Sequence, residues 1–236
     1  MIKAIFFDFN GVILDDEMIQ MKSYQEVLRS HDIDLTEELY LSGLGMDDRT
    51  FLRTIFGKAG KPLTDELLGS VIEAKTAVHR ETIKDELPFF PGVLTFLKAT
   101  ARHFQLGLVS MANQREISYV FERAKLGPLF SVIVTAEDTT VCKPAPDCYV
   151  SGLTKLNEKR QSERLLPLLA AECLAIEDSP PGIESARAAG MRTLAVTNTV
   201  SEEKLRAAGA EVVTQSLSDW TPDAVRLVFC KDYMLQ

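Results

Sequence analysis

Lys3-Ala4-Ile5-Phe6-Phe7-Asp8-Phe9-Asn10-Gly11-Val12 is an apolar run that ends at a carboxylate and reaches a glycine three residues later. A continuous apolar run of this length fits a strand buried on both faces of a parallel sheet. Asp8 then stands at the carboxyl end of that strand, where open α/β sheets bind ligands. Gly11 lets the chain leave the strand sharply. So placed, Asp8 can be a nucleophile, a metal ligand or both. Taken alone, an Asp at a strand end is equally a turn residue.

Beyond Gly11 the pattern changes. Residues 16 to 30 carry apolar side chains at helical spacing, Met18, Met21, Val27 and Leu28. Thr36-Glu37-Glu38 and Thr64-Asp65-Glu66 have the composition of helix starts. The second continues through Leu67, Leu68, Val71, Ile72 and Lys75, and residues 43–50 form a polar, glycine-bearing break. Up to about residue 86 only helices are expected. After Pro88 and Pro91-Gly92 the period alternates. Strands are expected over 105–110, 131–134, 173–176, 192–196 and 211–214. Helices are expected over 93–101, 114–125, 146–156, 180–189 and 202–208. Residues 157–172 are expected to be an extended connection with a helical portion, and Trp220 with the C-terminal segment to be core or edge packing. Alternating strands and helices imply a helix-covered parallel sheet. The expected fold class is therefore α/β: a doubly wound, Rossmann-like core over 1–14 and 87–236, interrupted by an all-helical cap over 15–86. An insertion at the carboxyl end of a sheet is well placed to act as a lid.

The net charge of the 236 residues is 26 − 34 = −8. That opposes binding to nucleic acid or to an anionic membrane, but not to a small anion, which responds to local charge. No run of 18 apolar residues marks a membrane span. The N-terminal apolar run is broken by Asp8 and reads as a strand rather than a signal peptide. Cys142, Cys148, Cys173 and Cys230 show no CxxC pairing, so reduced thiols in a cytoplasmic protein are expected. Cys142 is expected to be a plain buried thiol. His31, His79 and His103 show no metal-ligand spacing.

Four polar signals fall at or just past the ends of the expected core strands: Asp8, Ser110, Lys143 and Glu177-Asp178. They offer a carboxylate nucleophile, a hydroxyl for an anion, an ammonium, and an acidic pair for a hard metal. That inventory suits phosphoryl transfer.

The arrangement resembles the haloacid dehalogenase-like superfamily, and the resemblance covers nearly the whole chain. Phe7-Asp8-Phe9-Asn10-Gly11-Val12 is similar to its first motif, DxDGT/V. Leu108-Val109-Ser110-Met111-Ala112-Asn113 resembles its second, Lys143-Pro144-Ala145-Pro146-Asp147 its third, and Ile176-Glu177-Asp178-Ser179 with Gly182, Ala186, Ala189, Gly190 and Met191 its fourth. The helical insertion is similar to that of the phosphoglycolate phosphatase and β-phosphoglucomutase branch. The resemblance implies that Asp8 forms an aspartyl-phosphate. It implies that Asp8, the Asn10 carbonyl and Asp178 bind Mg²⁺, with Glu177 a direct or indirect ligand. Ser110, the Met111 amide and Lys143 would hold the phosphoryl group.

The chain departs from the family at Asn10, where the family has a second Asp that protonates the leaving oxygen and then activates water. An amide cannot transfer that proton. Losing a general acid/base costs about 10²–10⁴-fold, least for leaving groups of low pKa. Asn10→Asp is therefore expected to be faster. Asn10 fits a slow or specialised phosphatase, a binding protein that kept the pocket, or an introduced substitution. The intact Glu177-Asp178 pair opposes a dehalogenase, and the absence of Lys from 45–48 opposes a phosphonoacetaldehyde hydrolase. Gln20, where a β-phosphoglucomutase has His, opposes a mutase. Expected substrate contacts on the cap are Gln20, Arg49 and Lys75, the last equally readable as a helix-surface lysine. The expected function is Mg²⁺-dependent hydrolysis of a small phosphorylated metabolite, weakened by Asn10. The alternative is a non-catalytic phosphometabolite-binding protein.

Overall fold

Four consecutive apolar residues, Ala4–Phe7, form strand β1, and all four are fully buried. In a computed structural model describing residues 1–230, β1 lies in the middle of a six-stranded sheet. The other strands are β2 (Gln105–Val109), β3 (Phe130–Val134), β4 (Cys173–Glu177), β5 (Arg192–Val196) and β6 (Val212–Thr214). Their order is β3-β2-β1-β4-β5-β6, and every pairing is parallel. The order reverses between β1 and β4, so the crevice at the carboxyl ends of these two strands is the switch point of the sheet. Phe7 pairs with Leu108 of β2 and with Ile176 of β4. That register delivers Asp8, Val109 and Glu177 to one level.

The helices between strands explain why these strands are apolar throughout. In chain order they are α1 (Glu17–Arg29), α2 (Glu37–Leu41), α3 (Asp48–Lys58), α4 (Asp65–Thr82), α5 (Val93–Thr100), α6 (Gln114–Ala124), α7 (Asp147–Ser162), α8 (Pro180–Ala188), α9 (Glu202–Ala207) and α10 (Pro222–Phe229). One sheet face packs Ile5, Phe7, Leu106, Leu108 and Ile176 against Phe96, Leu97, Ile117 and Val120. The other packs Phe6, Val109 and Ala175 against Tyr149, Leu156 and Ala186.

Helices α1–α4 have an apolar centre of their own, built from Tyr24, Leu28, Phe51, Leu52, Ile55, Phe56, Leu68 and Val71. The Thr36 and Thr64 hydroxyls accept the Leu39 and Leu67 amides at 3.2 Å, capping α2 and α4 as expected. The chain enters and leaves this helical segment side by side: Leu14 bridges Phe89, and the Asp15 amide donates to the Pro88 carbonyl at 2.7 Å. Among the described residues no helix is long and apolar enough to cross a membrane.

Several local expectations are corrected. Met18 is 55% exposed, and the buried face of α1 is carried by Gln20, Met21, Ser23, Tyr24, Val27 and Leu28. The break expected over 43–50 ends earlier, because the Asp47 carboxylate accepts the Thr50 amide at 2.6 Å and starts α3 at Asp48. Helix α7 runs on to Ser162. Its last turns are polar and largely exposed, so the apolar periodicity stops at Leu156 while the helix does not. Helix α10 was not expected, although Thr221-Pro222-Asp223 is a start signal and the Thr221 hydroxyl accepts the Ala224 amide at 3.1 Å. Trp220 packs on Phe229 at the rim of the core. Residues 231–236 of the expected C-terminal packing segment lie outside the described residues.

Candidate active site

The chain turns away from β1 through Gly11, whose φ is +73°. A Cβ there would meet Asp178 Oδ2 at 1.9 Å, so only glycine lets the loop after β1 lie against the acidic pair after β4. The result is a cleft of about 100 Å³ whose walls include Asp8, Asn10, Ser110, Met111, Lys143, Asp178 and Ser179 from the strand ends. Glu17, Gln20, Tyr24, Tyr40, Asp48 and Lys75 of the helical segment face them.

Asp8, Glu177 and Asp178 each place a carboxylate oxygen within 4.8 Å of the others. Glu177 is fully buried and Asp178 nearly so. The Lys143 ammonium, 4% exposed, lies 3.2 Å from Asp8 Oδ1 and 2.6 Å from Glu177 Oε1, which also accepts the Tyr149 hydroxyl at 2.6 Å. Asp178 Oδ2 accepts the Thr199 hydroxyl. Burial, opposed by Lys143 and reinforced by Asp8, raises Glu177 to about 7. Burial and then the charge of Asp8 push Asp178 well above the carboxylate range. For Lys143, burial alone would lower the pKa, but Asp8 and Glu177 outweigh it and hold the ammonium charged. Glu177 Oε2 is buried and accepts no hydrogen bond, and Asp8 Oδ1, also buried, has the Lys143 ion pair but no hydrogen bond. Three crowded carboxylates, one with an orphaned buried oxygen, fit a hard divalent cation, which takes oxygen ligands. Asp8, Asp178 and Glu177 are the side chains that would hold it.

Ser110 is buried at the end of β2, and its Oγ accepts the Ala112 amide at 3.1 Å. Met111 follows at the same rim. Gln20 and Lys75 reach the cleft from α1 and α4, whereas Arg49 does not. It is exposed and lines a separate cavity with Glu73, Thr76, Arg115 and Glu137. Asp48 lines that cavity too, but its carboxylate also reaches the cleft, where Lys75 and Asn113 donate to it. Lys75 is 3% exposed and pairs with Asp48 at 3.1 Å and Glu116 at 2.9 Å, so it is no surface lysine. Burial would lower its pKa, but Asp48 and Glu116 raise it above the ordinary value. The same pairing overcomes burial at Glu116 and lowers that carboxyl to about 2. Cys142 is half-buried rather than buried and accepts the Asp47 amide at 3.4 Å, a contact between core loop and helical segment.

The sequence alone assigns no site role to Glu17, Tyr40, Glu116 or Asp16, and reads His79 only as lacking metal-ligand spacing. Glu17 accepts the Tyr40 hydroxyl at 2.6 Å, and burial with the neighbouring Asp16 raises it to about 7. His79 is buried with its Nε2 2.9 Å from Asp16 Oδ2. A signal for it existed. Leu68, Val71, Lys75 and His79 fall on one face of α4, so the apolar stripe runs straight into polar residues that must be buried too.

A family model for haloacid dehalogenase-like hydrolases matches residues 5–196. The protein YhcW of Bacillus subtilis (strain 168) is 31% identical over 204 residues, 85% of this chain and 86% of that protein. The phosphorylated carbohydrates phosphatase of Thermotoga maritima is 28% identical over 214 residues, 88% and 92% of the two chains. In fold, the chain is similar to the β-phosphoglucomutase of Clostridium difficile, with a TM-score of 0.83, 21% identity and 98% of each chain covered. With its motifs set around one crevice and the family model matched over most of its length, the chain belongs to the haloacid dehalogenase-like hydrolases.

Proposed function

We propose that this protein hydrolyses a small phosphate monoester, with Asp8 as nucleophile and a Mg²⁺ ion held by Asp8, Asp178, the Asn10 carbonyl and, directly or indirectly, Glu177. The observation that carries this reading is the meeting of three carboxylates within 4.8 Å beside an ammonium 3.2 Å from Asp8. Bound by these residues, Mg²⁺ would supply positive charge against the phosphoryl oxygens. Asp8 attacks phosphorus, the bond to the leaving oxygen breaks with its electron pair going to that oxygen, which takes a proton from solvent, and an aspartyl-phosphate forms on the enzyme. Lys143, Ser110 and the Met111 amide hold the phosphoryl oxygens. Water then attacks phosphorus, the bond to Asp8 breaks, and phosphate leaves.

Residues 15–86 act as a cap over this rim. They carry Gln20 and Lys75 to the substrate's far end, and Arg49 drops out of that set. The kinship with a phosphatase of phosphorylated carbohydrates supports a metabolite-sized substrate. Asn10 has no proton to give a leaving alkoxide, so rates depend steeply on leaving-group pKa. The test is turnover of p-nitrophenyl phosphate and acetyl phosphate with Mg²⁺. Turnover is expected to be lost in Asp8→Asn and on chelation of the metal. Equal activity in Asp8→Asn would refute the reading, and thermal stabilisation by Mg²⁺ with phosphate but no turnover would favour a binding role.

A further inference from the structure

The Asn10 amide is not loose in the cleft. Its Nδ2 donates to both oxygens of Asp16, at 3.0 and 2.8 Å. Asp16 is fully buried. Its Oδ2 also accepts Gln20 Nε2 at 3.1 Å and lies 2.9 Å from His79 Nε2. A carboxylate only accepts hydrogen bonds, so Asn10, Gln20 and His79 each present an N–H to it. The reverse amide orientation would set Asn10 Oδ1 against a buried carboxylate. With Nδ2 turned to Asp16, Oδ1 is the end left for the cleft that Asn10 lines.

We infer that Asp16 and His79 are positioning residues that fix the Asn10 carboxamide, so that its Oδ1 orients the water attacking the aspartyl-phosphate. This deepens the phosphatase reading and rests on it. An amide oxygen accepts one water O–H and aims the lone pair at phosphorus without taking a proton, as a glutamine does in some nucleotide hydrolases. The water oxygen bonds to phosphorus, the electron pair of the breaking bond returns to the Asp8 carboxylate, and both protons of the water stay on the departing phosphate, which leaves as dihydrogen phosphate. Positions 10 and 16 are therefore a matched donor and acceptor. A carboxylate placed at position 10 has no N–H to offer Asp16. This revises the expectation that Asn10→Asp alone speeds turnover.

The test is a cycle of Asn10→Asp, Asp16→Asn and the double variant. It is read by kcat and KM on p-nitrophenyl phosphate and on an alkyl phosphate, and by melting temperature. Asp16→Asn is expected to lower kcat by roughly tenfold or more, with KM moved less than about twofold, because the water loses its guide. Asn10→Asp alone is expected to melt lower and turn over no faster than the parent. In the double variant the amide at position 16 donates to the carboxylate at position 10. Its melting temperature is expected to recover, and its rate on the alkyl phosphate to exceed the parent's by about tenfold. Full gain from Asn10→Asp alone, or single effects that simply multiply, would overturn the pairing. Should the parent turn over neither substrate, the phosphatase reading falls, and the melting temperatures still decide the pair: recovery supports it, additive losses overturn it.

Discussion

Lys143 shows how one side chain makes a crowded acidic site possible. It sits between Asp8 and Glu177 at 3.2 and 2.6 Å and is almost wholly buried. Burial, with Asp8 beside it, raises Glu177 to about 7 from an ordinary 4.5 despite Lys143, and burial with the neighbouring Asp16 raises Glu17 likewise. A carboxyl raised in the folded state binds more protons there than in the unfolded chain. Stability from these groups is therefore largest at acid pH and declines as pH rises from about 4.5 through about 7. A Mg²⁺ ion held as proposed would compete with those protons at Glu177, so adding it is expected to flatten the decline and to raise the melting temperature more at pH 8 than at pH 6. Melting curves across that range, in chelator and in Mg²⁺, check both signs. A slope unchanged by Mg²⁺ would count against a metal at this cluster.

At the scale of elements, α4 and α6 bind the helical segment to the sheet. Glu116 of α6 receives Lys75 and Thr76 of α4 at 2.9 and 3.1 Å, and Gln20 of α1 at 3.1 Å. Asn113 donates to Asp48 of α3 at 2.8 Å. Removing one partner of a buried pair strands the other and costs about 3–5 kcal/mol. Glu116→Ala is expected to lose stability on that scale and to speed hydrogen exchange in α3 and α4, while β1 and β4 stay protected. Uniform loss of protection would contradict a separable helical segment. This layer was the least legible in the sequence. The strands follow from local apolar runs, and Asp8, Lys143 and Asp178 are brought together by their places at or beyond strand ends and by the motifs that resemble the family's. Glu116 and His79 depend on which helix face meets which, and only assembly decides that. The same holds for Arg49: next to Asp48 in the chain, it is exposed and lines a separate cavity rather than the cleft.

At the scale of the whole molecule, the parallel order β3-β2-β1-β4-β5-β6 creates one crevice, and every residue given a chemical role stands on its rim or on the helices facing it. The helical segment leaves and rejoins through the adjacent pair Leu14 and Phe89, a geometry suited to a lid hinged at its base. In the proposed mechanism all of this serves one event, transfer of a phosphoryl group to Asp8. The most direct measurement is to quench the enzyme in acid during turnover of acetyl phosphate with Mg²⁺ and map the modified peptide by mass spectrometry. Phosphate is expected on Asp8, labile to hydroxylamine as an acyl phosphate is, and absent from Asp8→Asn. Phosphate on any other residue, or turnover that persists without Asp8, would contradict the account.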